Sequence, residues 1–199
     1  MTETDAELAA ARERIARLES DNARLLQKLA EQRQLTEASR VASIALLEAL
    51  DLQEVLDTLL DCLAQVVPFD AGCVLLLEDA DQVVMQAGLG YDDFEPGAVS
   101  LGVGERPHLE RIVRTMRSHR IDDTSRDDGW QRGIEVSEDT RSWLGVPLTA
   151  RGVVLGLFGL DRREPHGFTD EHVRLAELLA AHAALAIANA RLYARLTAT

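Results

Sequence analysis

The chain has 199 residues, 46% hydrophobic and 28% charged, with a net charge of −13, which suits one ordinary globular domain plus an appendage. That acidic field repels phosphate backbones and anionic headgroups, so nucleic acid and membrane are not expected partners. The acidic N-terminus lacks the apolar segment of a signal peptide, and no unbroken apolar run nears the roughly 18 residues of a membrane span; a cytoplasmic setting is expected.

Residues 5–36 carry a heptad. Leu8, Ile15, Asn22 and Leu29 fall on one seam position, and Ala11, Leu18, Leu25 and Gln32 on the other. This is the pattern of a coiled coil. Glu7 can meet Arg12 of a parallel partner, and Arg14 can meet Glu19. A buried Asn22 favours two strands in fixed register. The alternative is a lone helix laying its stripe on a domain. A segment this short is marginal by itself, so the globular part is expected to help dimerise. The division expected is a coiled-coil helix over 1–40 and a globular domain over 41–199.

After Leu29 the seam changes phase and resumes through Leu35, Ala38, Ala42, Ala45 and Ala49. Asp51, with Glu54 three residues on, resembles a capping box that opens a helix running to Pro68. Cys73–Leu77 is a continuous apolar run and reads as a buried strand, and Val83–Ala87 as the next. Gly88, Gly90, Pro96, Gly97, Gly102 and Gly104 mark an irregular stretch. A helix is expected from about Pro107 to Ser118, then a short strand over 120–122 and a polar loop over 125–140. Trp143–Leu148 and Val153–Leu160 read as a β-hairpin. The second run is apolar on both alternating faces, as in a covered central strand. After Pro165 and Gly167 a last helix starts beyond Thr169, with Asp170 and Glu171 suited to its dipole. Its small and apolar residues, among them Ala180, Ala183 and Ile187, exceed what one sheet contact needs.

The ordered set W-L-G-V-P-L, G-V-V-L-G-L-F-G-L, G-F-T-D-E-H and L-A-A-H-A-A-L-A-I-A-N-A-R-L-Y resembles the C-terminal half of a GAF domain, and the likeness extends over residues 43–193. It implies an α+β fold: a GAF-like antiparallel sheet with helices on both faces, preceded by a long coiled-coil helix. It further implies a sensing or dimerising module in which the first and last helices pair across a dimer axis. The interface residues so implied are Leu8, Ile15, Leu18, Asn22, Leu25, Leu29, Ala180, Ala183 and Ile187. The expected partners are a second copy, a signalling protein and a small-molecule ligand. The pocket would lie between the sheet and the irregular segments, walled by Met85, Ile121, Trp130, Ile134, Trp143 and Phe158, with Asp122 or Arg141 as polar contacts.

Particular chemistries find little support. No G-x-S-x-G, H-E-x-x-H, P-loop or dinucleotide fingerprint occurs. Cys62 and Cys73 form no C-x-x-C pair or metal spacing and read as buried hydrophobes outside the pocket, which disfavours thiol-dependent sulfoxide reduction and bilin attachment. The five histidines include no pair at helical spacing, and His182 lacks a phosphoacceptor box; for a haem ligand His119 is the least poor candidate. An EF-hand register through Asp128, Gly129 and Glu135 would put Arg126 at a ligand position, which is wrong for calcium. The N-K-F-D-E set of cyclic-nucleotide-binding GAF domains is incomplete: Asp161 stands where Asn is expected, the lysine is missing, and Phe168, Asp170 and Glu171 have altered spacing. The reading is therefore a non-enzymatic module whose cofactor is unknown, with a ligand-free adaptor as the alternative.

Overall fold

The computed structural model describes Arg14, Arg17 and residues 52–79, 81–92, 94–131 and 139–197, with side chains as far as Leu192. The chain divides into two units, Met1–Glu37 and Ala38–Thr199, and the fold below belongs to the second. The heptad residues Leu8, Ile15, Leu18, Asn22, Leu25 and Leu29 lie outside the described residues, as does Ile134.

The elements are α1 (Leu52–Val66), β1 (Ala71–Asp79), β2 (Gln82–Leu89), β3 (Ser100–Gly102), α2 (Pro107–Thr115), β4 (His119–Ile121), β5 (Ser142–Ala150), β6 (Val153–Arg162) and α3 (Asp170–Thr197), with a 3-10 turn at Thr124–Arg126. The strands form one antiparallel sheet in the order β3-β2-β1-β6-β5-β4. Two local meanders therefore meet along β1 and β6, where Val74 pairs with Phe158 and Cys73 with Gly159. β3 falls inside the stretch read as irregular; three residues are too few to show a period.

Alternation along the strands assigns the two faces. Val74, Leu76, Leu144, Val146, Leu148, Phe158 and Leu160 pack with α1 and α3 in one core. Cys73, Leu75, Met85, Trp143 and Leu157 pack with α2 in the other. On β2 a bulge changes the parity: Val74 pairs with Ala87 but Leu75 with Met85, so Gln86 is an extra residue. Met85 and Ala87 consequently face opposite ways.

The β5–β6 hairpin closes through Arg151 and Gly152, with φ of 52° and 76°, the conformation that matches strand twist in a two-residue turn. At the head of α3, Thr169 Oγ1 accepts from the His172 N–H and His172 Nδ1 accepts from the Thr169 N–H, both at 3.2 Å. This is a reciprocal cap with histidine in the usual Glu or Gln place.

α3 corrects the reading of its interface residues. Ala180, Ala183 and Ile187 are 2%, 0% and 0% exposed; the sheet and α1 cover them within the protomer. The residues left outside are Leu178, Leu185 and Leu192, which recur every seventh position and are 38–59% exposed. Asp170–Leu192 is long and apolar enough to cross a membrane by length and composition, with a mean hydropathy of 1.3. A core helix of a water-soluble fold meets the same test, and here the apolarity covers a sheet.

Candidate functional site

The α2 side of the sheet bears a cavity of about 50 Å3. Two glycines set the position of the Trp143 ring that lines it. Gly145 and Gly159 are direct cross-strand partners on β5 and β6. A Cβ on Gly145 would lie 2.2 Å from the Trp143 ring and 2.4 Å from Ile112, and one on Gly159 would lie 3.0 Å from Cys73 Sγ. Without side chains at these points the Trp143 indole can lie down along β5.

Trp130 arrives from the loop after β4. Asp127 turns that loop: its Oδ1 accepts from the Gly129 N–H at 2.9 Å, and its carbonyl accepts from the Trp130 N–H at 3.1 Å. His108 comes from the first turn of α2, which starts at Pro107 with no side-chain cap. The three rings form one cluster. His108 sits 4.9 Å from each tryptophan ring, and the tryptophans are 5.9 Å apart, all tilted or edge-on.

Three polar atoms of these side chains are unusual. Arg106 Nε, His108 Nδ1 and Trp130 Nε1 are buried and have no hydrogen-bond partner among the described residues; buried polar groups are ordinarily satisfied. Burial pushes the His108 imidazole down to about 4, helped by repulsion from Arg106 and His119 and opposed by a hydrogen bond to the Gly129 backbone and by Asp127. The ring is thus neutral at pH 7.

Opposite lies Asp161, paired across the strands with Trp143. Its Oδ2 accepts from the Tyr91 hydroxyl at 2.6 Å and its Oδ1 from the Thr140 hydroxyl at 2.9 Å. Burial pushes its carboxyl up to about 6, with the two hydroxyls pulling the other way. The same burial, with the Asp161 charge, pushes the Cys73 thiol up to about 12, so this sulfur is held as an unreactive thiol.

Of the wall residues expected from sequence, Met85, Trp130 and Trp143 line the cavity. Ile121 is in the same apolar core without reaching the cavity. Phe158 belongs to the opposite face, fully buried under α1 and α3, because the β1–β6 register pairs it with Val74. Asp122 points to the surface and pairs with Arg120 at 2.8 Å. Arg141 pairs with Asp123 at 3.4 Å rather than reaching the cavity. Cys73, read as lying outside the pocket, lines it, as do Tyr91, Arg106, His108 and Asp161. One signal was available for Asp161: a carboxylate in an otherwise apolar strand, in phase with Gly159.

The residues 49–188 match the GAF domain family model. No curated protein matches the sequence. Solved structures do. The GAF domain of a phosphoenolpyruvate-protein phosphotransferase from Coxiella burnetii is 23% identical with a TM-score of 0.72, covering 82% of this chain and 98% of that one. Residues 122–287 of a methyl-accepting chemotaxis protein are 22% identical with a TM-score of 0.66, covering 76% and 97%. Free methionine-R-sulfoxide reductase from Neisseria meningitidis, solved with its substrate, is 16% identical with a TM-score of 0.66, covering 81% and 90%. At these identities the likeness is one of fold.

Proposed function

The chain belongs to the GAF domain family, whose members are generally sensory or regulatory modules, and from that premise we propose a non-catalytic signal-transduction role: a homodimer that takes a small ligand into the α2-side cavity and passes its occupancy along the helices to a signalling partner. The observation that carries this reading is the cavity lined by Tyr91, Arg106, His108, Trp130, Trp143 and Asp161. Polar and aromatic side chains meeting in one cavity are what a site for a small molecule requires. The Cys73 thiol, held far above the range of reactive thiolates, supports the absence of catalysis. Two free cysteines suit a reducing cytoplasm, and a net charge of −13 suits a module that binds neither nucleic acid nor membrane.

For the dimer, the support is the α3 face bearing Leu178, Leu185 and Leu192, which has the spacing of a helix–helix seam, together with the heptad of residues 5–36. The mechanism is linkage: a ligand that favours one dimer arrangement shifts the population towards it.

One observation favours a second reading, a ligand-free adaptor. About 50 Å3 is far below the roughly 300–1,000 Å3 of pockets for drug-sized molecules, because Trp130 and Trp143 occupy much of the space. Native mass spectrometry of freshly purified protein separates the two. A dimer carrying a small-molecule adduct is expected, a dimer with no adduct would favour the adaptor, and a monomer at micromolar concentration would overturn the dimer.

A further inference from the structure

A second depression, a groove of about 410 Å3, opens between α1 and the chain leaving β2, and it shares no lining residue with the α2-side cavity. Its β2 side is apolar, formed by Leu89, Phe94 and Pro96. Gly88 lets Phe94 lie against β2, since a Cβ there would meet the ring at 3.0 Å. Leu89 is 38% exposed, although most large apolar side chains of this fold are buried. The α1 side is acidic. Leu56, Leu59 and Leu63 turn one face of the helix into the core, which leaves Asp57 and Asp61 exposed along the groove. Neither carboxylate makes an ion pair among the described residues. Asp57 accepts a hydrogen bond from Gln53 Nε2 at 3.1 Å.

Charge chooses the occupant. A second copy carries the same net charge of −13 and is repelled, whereas a cationic partner is drawn to both carboxylates. Shape chooses its conformation. β3 pairs only with residues 82–84 of β2, so the far end of β2 has no strand on that side, and an extended segment fits beside it. Asp57 and Asp61, four residues apart on one helix, are displaced by about 6 Å along its axis. Residues i and i+2 of an extended chain point the same way about 6.8 Å apart. Alternation then sends such a pair towards α1 and the residues between them towards Phe94, which packs on the α2-side core. Arginine suits the outer pair, because its planar head meets a carboxylate through two hydrogen bonds. Exposed ion pairs contribute little singly, so contact with Leu89, Phe94 and Pro96 has to supply the rest. Resting on the signalling role above, we infer that this groove docks an extended segment of a partner protein that carries two arginines at alternate positions with apolar residues between and beside them.

The full chain is titrated into a fluorescein-labelled peptide, GLRLRLG, and anisotropy is followed. Saturable binding that weakens with added salt is expected. The peptide GLLRRLG has the same composition, but its adjacent arginines point to opposite sides, and it should bind about threefold more weakly. Asp57→Asn combined with Asp61→Asn should weaken GLRLRLG by about fivefold. Glu110→Gln combined with Asp128→Asn removes the same charge from exposed positions on other elements and should change it by less than about twofold. Leu89→Ser, at an exposed site that cannot cost the fold much, should weaken it as well. Equal binding of the two peptides, no effect of the Asp57 and Asp61 pair, the same loss in the control pair, or no saturable binding at all would overturn the docking site. A peptide that lowers the dimer mass in light scattering would give the groove to a second copy and overturn the partner assignment. The sensing reading stands or falls separately, on the small-molecule adduct.

Discussion

The two faces of this sheet are built from the same strands and to opposite ends. On the α1 and α3 side every strand residue in the core is apolar, and Phe158, Leu144, Leu148 and Leu160 are fully buried. On the α2 side the same strands present a thiol, a carboxylate, two glycines and a tryptophan around an opening. The first face is close-packed hydrocarbon, which is what stability requires. The second carries buried polar groups without partners, each of which costs stability. Side-chain alternation permits this, because adjacent residues such as Phe158 and Gly159 answer to different neighbours. One face can therefore hold the fold while the other carries the cavity.

Five substitutions, in four tests, probe this contrast. Phe158→Ala opens a hole in the packed face and should cost about 3–5 kcal/mol in urea denaturation; a loss under about 1 kcal/mol would mean that this face is not the scaffold. Gly145→Ala fills space on the other face, where the new Cβ would meet Trp143 at 2.2 Å and Ile112 at 2.4 Å. The expected cost is roughly 1–3 kcal/mol, and the displaced indole should shift the fluorescence maximum, whereas Phe158→Ala should leave the indole environment nearly unchanged.

The third test uses pH. His108 is lowered from 6.5 to about 4, so its contribution is present above pH 6.5 and is lost as pH falls through 4. Asp161 is raised from 3.8 to about 6, so its contribution is present below pH 3.8 and is lost as pH rises through 6. The two act in opposite directions across the same window, each on the order of 1–3 kcal/mol. Between pH 4 and 6.5 their effects should largely offset in the native chain. His108→Gln should therefore make the protein more stable as pH falls through that window, and Asp161→Asn should make it less stable. Denaturation midpoints at half-unit pH steps check both, and parallel profiles for the two variants would contradict the opposition. The smallest effect is expected at Leu185, 59% exposed on α3. Leu185→Ser should change protomer stability by less than about 0.5 kcal/mol while lowering the dimer mass in light scattering.

The packed face was largely legible in the sequence, and the cavity face only in part. Helices α1 and α3 and the β5–β6 hairpin announce themselves because apolar periodicity is a local property. Ala180, Ala183 and Ile187 were correctly seen as apolar, but their neighbour was misassigned: a small-residue stripe looks the same whether it meets a second copy or its own sheet. Phe158 was misplaced because β6 is apolar on both faces, so parity alone did not say which residues faced α2; the pairing with β1 decides that. Arg106 and His108 fell in a stretch read only as a helix start. The place of His108 emerges when Trp130 and Trp143, 22 and 35 residues beyond it in number, are brought against its ring.

The meeting of two meanders along β1 and β6 also bears on how the protein reaches this state. Within β1–β2–β3 and within β4–β5–β6 every pairing is between neighbours in sequence, whereas joining Val74 to Phe158 closes a loop of more than eighty residues. From the entropy of loop closure we expect that seam to be the slow step. Substitutions at Val74 and Phe158 should therefore retard folding, while those between β2 and β3 should chiefly hasten unfolding. The cavity straddles the seam, with Cys73 and Leu75 on one bank and Asp161 on the other. Neither half of the chain forms the cavity alone, and a molecule bound across the seam would act as a clasp that must leave before the halves part.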